Sequence, residues 1–201
     1  MSSPTTDLSR IEAEALSLFC RQYLQLVPPP SLILPPAPIL SSPTFQSTLY
    51  TTTFAPNALP QPPPPRYTYT ILKRLITALE SATSVSPDLE IDSDLIDSYT
   101  THLLSPPRAI PPTDRLPVVY TLPPPHGELT ILESPTLISG MGCTGHRTWE
   151  AALALTEWLL LHPEVLENSQ KTLDLGAGTG LIALLAGRAG VGEVLGAKVV
   201  V

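Results

Sequence analysis

Thr172-Leu-Asp-Leu-Gly-Ala-Gly-Thr-Gly-Leu181 is the stretch from which the fold is read. A strand enters a Gly-x-Gly-x-Gly turn and a helix leaves it. Gly176 and Gly178 let the backbone pass close beneath a ligand, and Gly180 lets the helix pack tightly on the strand. Amides at the start of that helix offer donors to a polar or anionic group. A dinucleotide fingerprint, G-x-G-x-x-G/A, fails because Leu181 stands at its third small position. The phosphate loop of nucleotide triphosphatases fails too, for want of Lys followed by Ser or Thr. Two readings of the turn stay open on these residues alone. One is a ligand loop. The other is a strand-to-helix turn whose glycines serve packing only.

An acidic residue two positions before the first glycine, Asp174 ahead of Gly176-x-Gly178-x-Gly180, resembles motif I of the S-adenosylmethionine-dependent methyltransferases. Upstream, Gly140-Met-Gly-Cys-Thr-Gly-His-Arg-Thr-Trp-Glu-Ala-Ala-Leu-Ala-Leu-Thr-Glu-Trp-Leu160 resembles the signature of methyltransferase family 16. In that group a T-G-x-x-x-W element and an apolar helix precede the motif I strand. The run Thr144-Gly-His-Arg-Thr-Trp-Glu-Ala-Ala152 is similar to the branch that methylates lysine in elongation factor 2. The resemblance is strong over 137–181 and weak over 1–130. It implies a Rossmann-like, seven-stranded α/β domain behind a helical N-terminal domain, with S-adenosylmethionine as cofactor and a translation elongation factor as protein substrate. It implies that Trp149 lines the cofactor site and that Gly176, Ala177 and Gly178 wrap the methionyl end. Asp174 orients the loop or the cofactor's amino group, and Gly180 completes the cofactor-binding set. A core aromatic at a helix start is the plainer meaning of Trp149. The full-length protein is expected to be a monomer.

From Lys171 to Val201 there are 31 residues, one βαβ unit. The resemblance therefore implies a fragment, inactive on its own. The acidic residue for the ribose, the adenine pocket, the substrate-facing loop and the catalytic residues would lie beyond Val201. A second class of function follows, a non-catalytic interaction module in which the N-terminal region still recognises a protein. A third is another Rossmann-like binder using the same turn.

Working outward, composition divides the chain. All 11 glycines lie at or after Gly127, while 13 of the 25 prolines lie between Pro28 and Pro65. Residues 1–115 read as a helical, proline-rich domain, and 116–201 as the start of the methyltransferase domain. Helices are expected over Asp7 to Leu26, Tyr67 to Ser81, and Ser93 to Leu104, the last with Leu95, Ile96, Tyr99 and Leu103 inward. Pro28 to Pro65 is expected to be extended. Strands are expected over Pro117 to Leu122, Leu129 to Leu132 and Thr136 to Ser139. A helix over Trp149 to Leu161, capped by Thr148, is apolar nearly all round and expected to be buried. A strand over Lys171 to Leu175, a helix over Thr179 to Arg188 and a last strand over Ala197 to Val201 complete the reading.

Charged residues are 14%, the net charge is −7 and the pI about 5.0. Nucleic-acid binding is not expected, because phosphate neutralisation needs clustered Lys and Arg. Cys20 and Cys143 form no CxxC pair, which excludes a disulfide scaffold and points to a reduced, cytoplasmic setting. No leader and no membrane span are read. His102, His126, His146 and His162 have no ligand spacing, so no metal site is expected. Glu80, Asp88, Glu90, Asp92, Asp94 and Asp97 read as a solvated face. Pro62 to Pro65 reads as a rigid linker rather than a polyproline ligand.

Overall fold

The chain divides into two units, Met1–Ile110 and Pro111–Val201. A computed structural model describes residues 8–83, 89–105, 107–109, 111, 113–134 and 145–197.

In the first unit, α1 (Arg10–Leu24) starts with a capping box. The Ser9 hydroxyl accepts from the Glu12 amide, and the Glu12 carboxylate accepts from the Ser9 amide. The helix buries Phe19 and Tyr23. The segment after it is not the extended one that its prolines suggest. It folds into α2 (Ala37–Leu40), α3 (Pro43–Leu49) and a π-helical turn, Tyr50–Phe54. The prolines permit this because Pro36 caps α2 and Pro43 opens α3, positions whose amides have no helical partner anyway. Ser42 caps α3 by accepting from the Phe45 amide at 3.3 Å.

Helix α4 (Pro65–Thr83) again opens on a proline, and its inward stripe is Ile71, Leu72, Leu75, Ile76 and Leu79. Helix α5 (Ser93–Leu104) is capped by Asp92, whose carboxylate accepts from Asp94 and Leu95. Leu95 is buried, but Ile96 and Leu103, expected inward, are 40% and 49% exposed. One apolar cluster joins α1, α3, α4 and α5 through Phe19, Tyr23, Phe45, Leu49, Leu75 and Leu95.

In the second unit, β1 (Leu116–Thr121) and β2 (Glu128–Glu133) form an antiparallel pair with Val119 opposite Thr130. The strand expected at Thr136 to Ser139 lies outside the described residues. Then come α6 (Glu150–Leu161), α7 (Glu164–Glu167), β3 (Lys171–Leu175), α8 (Leu181–Arg188) and β4 (Glu193–Ala197). Strands β3 and β4 pair in parallel with Leu173 opposite Leu195, and α8 packs on both. The architecture is mixed α and β.

Two expectations are corrected here. The last strand begins at Glu193, not Ala197. Its Gly196 sits where a side chain would be tight, since a Cβ would meet the Ala177 Cβ at 3.3 Å. Helix α6 is not buried all round: Leu155, Trp158 and Leu161 are 45%, 46% and 71% exposed.

Candidate functional site

The site grows from the end of β3. Gly176, Gly178 and Gly180 have φ of +77°, +55° and +89°, the left-handed region that side chains resist. The alternation lets the chain reverse within five residues. The Gly176 and Ala177 amides both donate to the Ala197 carbonyl, at 2.8 and 3.1 Å, which ties the turn to β4. Gly180 caps α8 without a side chain, so the cap supplies no acceptor to the helix's first amides.

A second segment closes against this turn. A Cβ on Gly145 would meet the Gly178 Cα at 3.0 Å, so the two backbones touch. Between them opens a cleft of about 240 Å³. Its lining includes Arg115, Gly145, His146, Gly178, Thr179 and Gly180.

Behind the cleft lies a buried carboxylate. Glu133 ends β2, and the strand's alternation places it on the same inward face as Leu129 and Ile131. Its Oε1 accepts from the Tyr120 hydroxyl at 2.7 Å and from the Thr148 hydroxyl at 2.6 Å. Its Oε2 accepts from the Thr148 amide at 2.8 Å. The Thr148 oxygen also lies 2.6 Å from the Thr179 hydroxyl oxygen. Burial pushes the Tyr120 phenol above the ordinary tyrosine range, and the negative charge of Glu133 adds to the rise. Thr148, expected to cap α6, thus serves Glu133 instead, and the capping position falls to Trp149, whose side chain makes no cap bond.

The turn gathers Asp174, Gly176, Ala177, Gly178 and Gly180 on one β–α junction. Ala177, Gly178 and Gly180 line the cleft, while Asp174, Gly176 and Trp149 are not among its lining residues. Trp149 stands at the start of α6 and is 42% exposed. One Asp174 oxygen, Oδ2, is buried and has no hydrogen-bond partner among the described residues. A buried carboxylate oxygen of this kind calls for a donor. Glu133, Tyr120, Thr179 and Arg115 were not read from the sequence as site residues. The available signal was a glutamate in the buried register of an alternating strand. Among the described residues no group of three or more His, Cys, Asp or Glu could hold a metal, and no helix is long and apolar enough to cross a membrane.

No family model matches the chain. Individual proteins do. A protein-lysine N-methyltransferase EFM3 of Chaetomium thermophilum is 38% identical over 177 residues, covering 85% of this chain and 52% of that protein. A protein-lysine N-methyltransferase EEF2KMT of Homo sapiens is 46% identical over 61 residues, 30% of this chain and 18% of that protein. EFM3 of Saccharomyces cerevisiae is 37% identical over 68 residues, 29% of this chain and 20% of that protein. The chain spans about half the length of the first of these relatives.

Proposed function

We infer function from one premise: this chain belongs to the family of the EFM3 and EEF2KMT protein-lysine N-methyltransferases. We propose that residues 116–201 form the opening part of a Rossmann-like, S-adenosylmethionine-dependent methyltransferase domain. Residues 1–115 form the helical domain ahead of it. The protein substrate is translation elongation factor 2, modified on a lysine in the cytoplasm.

One observation carries the cofactor reading. Three left-handed glycines turn the chain under a cleft, and on the same turn one Asp174 oxygen is buried without a hydrogen-bond partner among the described residues. These features fit an amino-acid moiety. Asp174 Oδ2 would take the ammonium, and Gly178 leaves room because a Cβ there would meet nothing nearer than the Gly176 oxygen at 3.8 Å. Trp149, at the head of α6, would offer an aromatic face, and Gly176, Ala177 and Gly180 would shape the turn. Bound S-adenosylmethionine supplies the activated methyl group. The chain's own residues bind and orient; none of the described residues is assigned as a general base. The incoming lysine must be neutral to attack, so the chain's contribution is alignment and exclusion of water.

Titration calorimetry with S-adenosylmethionine and with NAD tests this. Weak heat with S-adenosylmethionine and none with NAD is expected. Binding of NAD instead would mark a different Rossmann-like binder. No binding of either, together with capture of elongation factor 2, would favour the non-catalytic module.

A further inference from the structure

Three donors converge on Glu133: the Tyr120 hydroxyl, the Thr148 amide and the Thr148 hydroxyl. That is the set an ionised carboxylate collects, since it can only accept. The side chain is 4% exposed, so water does not share the work. The Thr148 hydroxyl has one hydrogen, and it goes to Glu133 at 2.6 Å. In the contact between the two threonines, 2.6 Å long, the hydrogen must therefore come from Thr179. Thr179 in turn lines the cleft. Its hydrogen spent, it can offer the cleft lone pairs only.

We propose that Glu133 is a positioning residue that, through Thr148, fixes the Thr179 hydroxyl as an acceptor facing the cleft, selecting a ligand with a cationic donor there. This deepens the cofactor reading above and rests on it for the ligand. The donor it selects is the α-ammonium, because Asp174, whose Oδ2 has no hydrogen-bond partner among the described residues, stands on the same turn. Thr179 then meets the cation from the cleft wall, and the turn rejects a ligand that lacks it. The relay also ties β2 to the turn, since Glu133 belongs to the strand and Thr179 to the loop.

Glu133→Gln keeps the size and reverses the logic. Its amide nitrogen donates where Oε1 accepted, so the Thr148 hydrogen is pushed toward Thr179 and the Thr179 hydrogen toward the cleft. The test uses the full chain, with S-adenosylmethionine and an analogue lacking the α-amino group. The unaltered chain should prefer S-adenosylmethionine by about tenfold or more, as expected for a charge-assisted bond. Glu133→Gln and Thr179→Val should each bring the two affinities to within about twofold, and the double variant should add nothing further, as linked residues do. Thr179→Ser, which keeps the hydroxyl, should keep the preference. A preference unchanged in Glu133→Gln, or effects that multiply in the double variant, overturns the proposal. If the unaltered chain binds neither compound, the cofactor reading fails by itself, and amide exchange decides the relay. Faster exchange at Gly178 and Gly180 in Glu133→Gln, at equal global stability, supports it; unchanged exchange overturns it.

Discussion

Gly145 and Gly178 meet backbone to backbone, and that contact makes two single-residue predictions. A methyl group at Gly145 would sit 3.0 Å from the Gly178 Cα and 3.3 Å from its carbonyl carbon, with no flexible side chain to yield. Gly145→Ala should cost about 1–3 kcal/mol in denaturant unfolding, the range for overpacking, and should weaken ligand binding. Gly178→Val acts differently. There is space for its Cβ, but φ of +55° strains any L side chain by about 1–2 kcal/mol. Its branches would enter the space given to the methionyl group. Calorimetry should find S-adenosylmethionine affinity reduced about tenfold, near 1.4 kcal/mol, with the fold retained. Unchanged affinity would detach this turn from the cofactor. The glycines and Asp174 were legible because a β–α turn writes its requirements into consecutive residues. Glu133 was not, because its partners Tyr120 and Thr148 lie 13 and 15 residues away, and Thr148 reaches Thr179 across 31 more. Only the folded chain brings those four together.

Elements were legible where periodicity or turn chemistry acts locally, as in β3, read at its observed bounds, and in α4, read to within two residues at each end. The proline-rich segment defeated the reading because most of a proline's cost falls in a helix interior, and here Pro36, Pro43 and Pro65 stand at helix starts. What fastens these short pieces is side-chain amides. Gln22 accepts from the Ile33 amide at 2.9 Å and donates to its carbonyl at 3.2 Å. Gln46, fully buried, accepts from the Asp92 amide at 2.8 Å and donates to the Glu90 carbonyl at 3.2 Å. Gln46→Leu should therefore cost about 1–3 kcal/mol, the penalty for leaving buried backbone groups unsatisfied, read as a lower denaturant midpoint.

The seam between α1 and α4 carries a pH dependence. Tyr23 donates to or accepts from Thr68 at 2.7 Å, and burial pushes its phenol up to about 12. Because the folded value lies above the unfolded value of about 10, its contribution is present below pH 10. It is lost as pH rises from about 10 to 12, where unfolding releases the proton. Stability measured by denaturant should fall across that window, and Tyr23→Phe should flatten the fall.

At the scale of the whole molecule, the described part of the second unit shows a parallel pair covered on one face. Helix α8 packs against β3 and β4, whereas Leu173, Leu175 and Leu195 are 58%, 75% and 57% exposed. They share a side because alternate residues of a strand do, and the register sets Leu173 opposite Leu195. Parallel strands in folded proteins are covered on both faces, which makes this surface unusual for its type. Its polar relief is the Lys171–Glu193 ion pair at 2.5 Å, at one end of the same row. Such an exposed pair holds little free energy, about 0–1 kcal/mol, and does not offset three leucines in water. Burying them in a contact with another molecule removes apolar area at about 25 cal/mol per Å². The 201-residue chain should therefore self-associate as its concentration rises, seen by light scattering. Leu173→Lys with Leu195→Lys should suppress this, because two cations resist desolvation on a face that must dry to make contact. Equal scattering from the parent chain and the double variant would move the cause of association elsewhere, and Leu155, Trp158 and Leu161 of α6 would be the next residues to change.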